Sequence, residues 1–169
     1  MNHPHLRRHD LPFRWPDPPL RVALLRPEIP PNTGNIARLC AATGCPLHLI
    51  GPLGFRLADK SLKRAGLDYW DEVELHAHAD WDEFRRAVPD DRFYLFSTAA
   101  PHSYADVAYR PGDLLLFGSE SVGLPDPLLR AYPDRVLGLP MRPGAVRSLN
   151  LSNAVAIVVY EALRQLNQI

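Results

Sequence analysis

Short apolar runs alternate with helix-like segments along most of this chain, and this alternation limits the folds that it can adopt. Four of the runs, Arg21–Leu25, Leu47–Ile50, Arg92–Ser97 and Leu114–Phe117, have the length and composition of buried strands. Between them, segments such as Asn35–Thr43 place apolar residues at helical spacing. Strands that alternate with helices favour a parallel sheet with crossover helices. We therefore predict an α/β fold with a mostly parallel sheet flanked by helices.

Weaker patterns complete the outline of this fold. We predict further strands at Val73–His76 and Val136–Leu139, and a short helix at Asp80–Ala87. The segment Thr98–Gly112 reads as a loop. Another short helix after Leu57 contains the densest basic cluster of the chain, which is formed by Lys60, Lys63 and Arg64. Such a cluster is either a solvated helix face or a set of phosphate contacts, and the spacing does not decide between them.

Length and composition indicate one globular domain behind a short extension. The chain has 169 residues, of which 46% are hydrophobic and 22% charged. Residues 1–20 contain five prolines and three histidines without periodicity, so we expect an N-terminal extension there and a single domain over residues 21–169. No apolar run has the length of a membrane span, and the N-terminus lacks a secretory signal, so we expect a cytoplasmic protein.

The charge balance and the two cysteines exclude few classes of function. Lys and Arg number 19, as do Asp and Glu, so any attraction to nucleic acid must come from local clusters. Cys40 and Cys45 match neither a zinc knuckle nor a redox CxxC pair, which favours buried reduced thiols. The N-terminal histidines have no supporting cysteine or acidic partners. We therefore predict no metal site.

The segment Leu139–Tyr160 joins an irregular loop to a strongly apolar helix. Pro140, Pro143 and Gly144 prevent regular structure at its start. From Leu149 onward the apolar residues cover much of the helix circumference, which predicts a buried helix. Four polar residues crowd the junction: Ser148, Asn150, Ser152 and Asn153. They indicate a capped helix start, a ligand pocket, or both at one place.

Two other turns follow apolar strands and have compositions suited to binding. The turn after Leu114–Phe117 brackets Ser119, Glu120 and Ser121 with glycines, so its backbone can approach a ligand closely. It has neither the dinucleotide glycine pattern nor the P-loop pattern. The turn after Arg21–Leu25 places Asn32 and Arg38 at or near the carboxyl edge of the sheet, where open α/β proteins bind ligands.

Four motifs taken together resemble those of the SPOUT superfamily of RNA methyltransferases. They are PEIPPNTGNIARLCAATG, KRAGLDY, LLFGSESVGLP and LPMRPGAVRSLNLSNAVAIVVYEALRQL, in this order along the chain. They are most similar to the single-domain, TrmL-type tRNA (cytidine/uridine) 2′-O-methyltransferases, which act on the wobble nucleotide. The resemblance covers about Arg21 to Leu166. It implies a C-terminal deep trefoil knot, S-adenosylmethionine as methyl donor, a homodimer and the anticodon stem-loop of tRNA as substrate.

The resemblance also implies the roles of individual residues. The catalytic residues that it implies are Arg38, Asn32, Glu120, Ser148 and Asn150. The cofactor-binding residues would be Phe96, Ser97, Thr98, Gly118, Ser119, Glu120, Leu139, Pro140, Met141, Ser148, Leu149 and Leu151. We expect RNA contacts from Lys60, Lys63, Arg64, Arg142 and Arg147, and from Tyr160 on the last helix.

Methyl transfer from a sulfonium to a ribose hydroxyl requires alignment of the two partners and removal of a proton. The family assigns hydroxyl activation to the motif arginine, but guanidinium groups stay protonated in proteins. We therefore hypothesise that Arg38 stabilises the developing alkoxide or binds a neighbouring phosphate. Glu120 would pair with Arg38 or cap a helix. Two alternatives remain: a ribosomal RNA 2′-O-methyltransferase, and a knotted binding module without catalysis.

Overall fold

A parallel sheet forms the centre of the computed structural model, which describes residues 11–57, 72–89 and 92–167. Its strands are β1 (Arg21–Leu25), β2 (Leu47–Ile50), β3 (Leu75–His78), β4 (Phe93–Phe96), β5 (His102–Ser103), β6 (Leu114–Phe117) and β7 (Val136–Gly138). Their order in the sheet is β3-β2-β1-β6-β4-β7-β5, and neighbouring strands pair in parallel. The predicted α/β fold is confirmed.

Helices cover both faces of this sheet in the described part of the chain. They are α1 (Pro30–Thr43), α2 (Trp81–Ala87), α3 (Asp126–Ala131) and α4 (Leu151–Leu166). Helices α1 and α4 bury Ile36, Cys40, Val155 and Val159 in one apolar cluster. Helix α2 contributes Phe84 to a second cluster, against which residues of α3 pack. Strands β2 and β6 are buried along their whole length, as expected for central strands covered on both faces.

Helix α1 begins at Pro30, five residues before the predicted start at Asn35. The two prolines that we assigned to a stiff turn occupy the first turn of the helix, where a missing backbone N–H costs nothing. Asn32 therefore belongs to the helix, where it is 6% exposed. Helix α4 begins at Leu151, and Asn150 is its N-cap, so Leu149 precedes the helix.

Two strand predictions also need correction. Strand β3 spans Leu75–His78 rather than Val73–His76, because pairing with β2 aligns Leu47 with Leu75. The segment predicted as loop from Thr98 to Gly112 contains β5, a strand of two residues in which His102 pairs with Leu137. A strand this short leaves no periodic signal in the sequence.

Helix α4 is not buried on every side, contrary to our prediction. Ile157 is 41% exposed and Tyr160 is 53% exposed, whereas Val155, Val158 and Val159 are fully buried. The exposed residues lie three positions apart and so share one side of the helix. An apolar side chain and an aromatic one therefore face outward from an otherwise buried helix.

Several predictions concern the remaining parts of the chain. Cys40 and Cys45 are buried free thiols, as predicted, and burial raises the pKa of both. The described residues do not include the first ten residues, Lys60, Lys63 or Arg64.

Strand β7 is inserted between β4 and β5, both of which precede it in the chain. Among the described residues, no helix is both long and apolar enough to cross a membrane.

Candidate active site

A cleft of about 820 Å³ opens at the carboxyl ends of β4, β6 and β7, next to the N-terminus of α4. Its lining includes all the predicted cofactor-binding residues except Pro140: Phe96, Ser97, Thr98, Gly118, Ser119, Glu120, Leu139, Met141, Ser148, Leu149 and Leu151. Asn32, Asn150 and Arg147 also line it. Three strand ends and two helix starts thus converge on one space, as the parallel topology requires.

Two phenylalanine rings form an apolar part of the cleft wall. Phe96 and Phe117 stack with ring centroids 4.6 Å apart and planes inclined by 13°. Both side chains are almost fully buried, and both line the cleft. They come from the adjacent strands β4 and β6, where they are paired in register. The sheet therefore fixes a flat apolar surface beside the polar groups of the loops.

The turn after β6 closes on itself between Ser119 and Gly123. The Ser119 and Gly123 backbones exchange hydrogen bonds of 3.3 and 2.9 Å, and Gly123 has a φ of +71°. A Cβ on Gly118 would lie 2.0 Å from the Gly123 carbonyl carbon, so no larger residue fits there. Gly118 is therefore required by a close approach of the backbone to itself, and Gly123 is favoured by its positive φ.

Glu120 caps helix α1 from a distant position in the sequence. Its carboxylate accepts hydrogen bonds from the backbone N–H groups of Glu28 at 2.8 Å and Ile29 at 3.1 Å. It also accepts one from Asn32 Nδ2 at 3.1 Å. Helix α1 has no acidic residue in its first turn and no side-chain cap from Ile29. A carboxylate at this end also interacts favourably with the helix dipole.

Asn150 links the start of α4 to the start of α1. Its Oδ1 accepts hydrogen bonds from the backbone of Ser152 at 2.9 Å and of Asn153 at 3.4 Å, which caps α4. Its Nδ2 donates to Asn32 Oδ1 at 2.9 Å. Glu120, Asn32 and Asn150 therefore form one hydrogen-bonded chain along the cleft. Capping and pocket formation, which the sequence left as alternatives, occur together.

The remaining predicted site residues lie in different places. Ser148 is exposed and lines the cleft beside Arg147. Arg38 is exposed on α1, six residues or about 9 Å along the helix from Asn32, and does not line the cleft. Tyr160 and Arg142 are also exposed and outside it. The structure thus brings four of the five predicted catalytic residues together and leaves Arg38 apart.

Sequence reasoning missed several residues of this site. Ile29, Val122 and Ala154 line the cleft, and Glu28 binds the turn after β6 through its side chain. Val122 is 82% exposed, and a lone apolar residue between Ser121 and Gly123 was the available signal in the sequence. Among the described residues, no group of three or more His, Cys, Asp or Glu side chains has a geometry suited to a metal ion.

Comparison with known proteins agrees with this architecture. The model of the SpoU rRNA Methylase family matches residues 19–160. The chain belongs to the SpoU methylase family. The resemblance found in the sequence motifs is thereby confirmed. Asn32, Glu120 and Asn150 all fall within the matched part.

Individual relatives give a closer comparison. A tRNA (cytidine(34)-2′-O)-methyltransferase of Burkholderia ambifaria is 54% identical over 147 residues, which are 85% of this chain and 94% of that protein. A solved structure concerned with 2-OH methylation of C/U34 on tRNA is 50% identical, has a TM-score of 0.84, and is matched over 89% of this chain and 97% of its own. An AdoMet-bound rRNA methyltransferase of Sinorhizobium meliloti is 27% identical with a TM-score of 0.74, over 87% of this chain and 56% of its own.

Proposed function

We propose that this protein transfers a methyl group from S-adenosylmethionine to the ribose 2′-hydroxyl of nucleotide 34, the wobble nucleotide, of tRNA. The observation that supports this most is the hydrogen-bonded series of Glu120, Asn32 and Asn150 along the cleft. The relatives that are matched over nearly their whole length act on cytidine 34 or on C/U34 by name. We infer the same substrate here.

The cleft suits a cofactor with an adenine ring, a ribose and an amino acid end. Its volume of about 820 Å³ lies within the usual range of small-molecule sites. The phenylalanine stack and Leu139, Leu149 and Leu151 provide apolar surface for a flat base. Ser97, Thr98 and Ser119 provide hydroxyl groups for polar ends. We propose that these residues, with Pro140 at the rim, hold S-adenosylmethionine.

When bound, S-adenosylmethionine supplies a methyl group that is already activated by the sulfonium charge. The protein has to orient the ribose oxygen towards that methyl group, and the proton of the 2′-hydroxyl passes to water or to a neighbouring phosphate. We propose that Asn32 and Asn150 hold the substrate side of the cleft in place and that Ser148 contacts the ribose. Glu120 acts through Asn32, which it orients at 3.1 Å. No metal ion takes part in this scheme.

We propose that the protein acts as a homodimer in which Arg38 serves the cleft of the other subunit. Arg38 is exposed and lies outside the cleft of its own chain. The outward side of α4 presents Ile157 and Tyr160, a pair that a second copy would cover. An arginine that reaches across such an interface would stabilise the alkoxide or a neighbouring phosphate.

Side chains near the opening of the cleft would then bind the RNA. Arg147 lines the cleft, and Arg142 is exposed on the same loop before α4. We propose that both contact phosphates, together with Lys60, Lys63 and Arg64, and that Tyr160 contacts the RNA from the margin of the subunit interface. Because the chain has no net charge, the attraction to RNA has to come from these local groups, and we expect a moderate dependence of tRNA affinity on salt.

We propose a single methyltransferase domain over residues 21–169 with a knotted C-terminal segment, preceded by an extension over residues 1–20. The insertion of β7 between β4 and β5, with α4 returning to pack near α1, is compatible with such a knot. We expect the protein to work in the cytoplasm, on tRNA.

The experiment that tests this function measures both cofactor binding and its use. Purified protein would be titrated with S-adenosylmethionine in a calorimeter and then incubated with the labelled cofactor and either bulk tRNA or ribosomal RNA. We expect binding and label in tRNA. Label in ribosomal RNA alone would favour the ribosomal enzyme, and binding without transfer to either would favour a module without catalysis.

A further inference from the structure

Two glutamates on neighbouring loops each bind the backbone of the other loop. The Glu120 carboxylate accepts a hydrogen bond from the Glu28 backbone N–H at 2.8 Å. In the opposite direction, the Glu28 carboxylate accepts one from the Ser121 backbone N–H at 3.1 Å and one from Ser121 Oγ at 2.7 Å. Glu28 lies just before α1, and Ser121 lies at the tip of the turn after β6. The two loops are thus joined by reciprocal contacts.

We propose that Glu28 is a positioning residue for the cofactor, because it holds the Ser119–Gly123 turn in the shape that the cleft requires. This inference rests on the proposed function. Ser119, Glu120, Ser121, Val122 and Gly123 all line the cleft, so a shift of the turn changes the wall of the site. Glu28 itself does not line the cleft and acts through Ser121.

The turn needs such an anchor because its tip is exposed. Ser121 and Val122 are exposed, whereas Gly118 and Ser119 at the base are buried. The bonds between Ser119 and Gly123 close the base of the turn but do not orient it relative to α1. Glu120 ties one side of the turn to the start of α1, and the Glu28 carboxylate holds the exposed tip through the two hydrogen bonds that it accepts from Ser121.

The reciprocal arrangement also couples the cofactor side of the cleft to Asn32. If the turn moves away from Glu28, the Glu120 carboxylate moves with it and leaves the N-terminus of α1 and Asn32 Nδ2. Loss of Glu28 should therefore weaken cofactor binding first, and the placement of Asn32 second. Hydrogen bonds to a charged carboxylate are stronger than neutral ones, so the anchor is effective even at an exposed position.

The test compares Glu28→Ala, Glu28→Gln and Ser121→Ala with the parent protein by calorimetric titration with S-adenosylmethionine and by thermal unfolding. We expect Glu28→Ala to raise the cofactor Kd about tenfold, because two charge-assisted hydrogen bonds are lost. Glu28→Gln retains an acceptor oxygen for Ser121 and should restore much of the affinity. Ser121→Ala keeps the backbone N–H and should have an intermediate effect.

Asp80→Ala is the matched control, because the Asp80 carboxylate also accepts a backbone hydrogen bond, at 2.8 Å from Glu83, but caps α2 away from the cleft. It should lower the unfolding temperature without changing the cofactor Kd. The inference would be overturned if Glu28→Ala bound the cofactor as tightly as the parent, or if Glu28→Gln failed to improve on Glu28→Ala. Failure of the parent protein to bind S-adenosylmethionine would instead refute the proposed function.

Discussion

Asn150 Nδ2 donates to Asn32 Oδ1 at 2.9 Å, a bond that joins residues 118 positions apart in the sequence. Asn32 uses both ends of its amide, since its Nδ2 donates to Glu120. The donor and the acceptor of each hydrogen bond in this series are therefore fixed, and the Asn32 amide cannot flip without breaking both of its bonds. The N-termini of α1 and α4 are held together where the cleft opens.

Two substitutions of Asn150 separate its roles as helix cap and as link to Asn32. Asn150→Asp keeps an acceptor for the Ser152 and Asn153 backbones but has no donor for Asn32, so we expect nearly normal stability with reduced methyl transfer. Asn150→Ala loses both roles and should also lower the free energy of unfolding by about 1 kcal/mol. Urea unfolding and labelled methyl transfer measure the two effects. Equal transfer rates for Asn150→Asp and the parent would contradict the positioning role.

Glu120 should contribute to stability as well as to the site. Its carboxylate accepts three N–H groups at the start of α1, which has no other side-chain cap from its own first residues. We expect Glu120→Ala to reduce the free energy of unfolding by about 1 to 2 kcal/mol. Glu120→Gln, which keeps one of the two acceptor oxygens, should lose less. Urea unfolding of both variants checks this, and a free energy of unfolding unchanged in Glu120→Ala would show that the carboxylate does not act as a cap.

Mixed dimers test whether Arg38 works across the subunit interface. One partner would carry Arg38→Ala and the other Thr98→Trp, which places a large ring at the exposed edge of the cleft. Each variant alone should be inactive. After subunit exchange, a mixed dimer contains one copy of each variant. The unblocked cleft of the Arg38→Ala subunit then meets the intact Arg38 of the Thr98→Trp subunit, so activity should return. If mixing restores no activity although mixed dimers form, Arg38 acts within its own chain.

Sequence reasoning found the ends of the strands because local composition marks them. The glycines at 118 and 123 and the polar residues at 148 to 153 were visible as departures from the surrounding apolar pattern. The start of α1 was missed because Pro30 and Pro31 read equally well as a turn. The bond from Glu120 to Ile29, 91 positions apart, has no local signature and depends on the pairing of β1 with β6.

The exposed side of α4 shows another limit of such reasoning. Periodicity identified an apolar helix, but Ile157 and Tyr160 face outward. A single chain does not reveal whether an apolar surface packs against its own sheet or against a second copy. The three-dimensional packing of α4 on α1 decides which residues remain exposed.

The buried His48 should make the fold sensitive to acid. His48 is 6% exposed, and its Nδ1 lies 3.1 Å from His78 Nε2. Burial, with the nearby His76, His78 and Arg21, lowers the pKa of His48 from 6.5 to about 4. The unfolded chain therefore binds a proton at higher pH than the folded one. Stability from this group should be complete above pH 6.5 and should be lost as the pH falls towards 4.

The loss should amount to about 3 kcal/mol for His48. Urea unfolding across this pH range measures it, with His48→Gln as the comparison. The variant should be less stable at neutral pH, but its stability should fall less steeply with acid. Parallel pH profiles for the two proteins would show that another group causes the acid sensitivity.

The central claim is tested most directly by mapping the nucleotide that receives the methyl group. Bulk tRNA would be incubated with labelled S-adenosylmethionine and the protein, digested with nuclease, and examined for 2′-O-methylation, with Arg38→Ala in parallel. We predict a 2′-O-methylated nucleotide at the wobble position with the parent protein and none with the variant. A methyl group on a base, or on the ribose of any other position, would contradict this account.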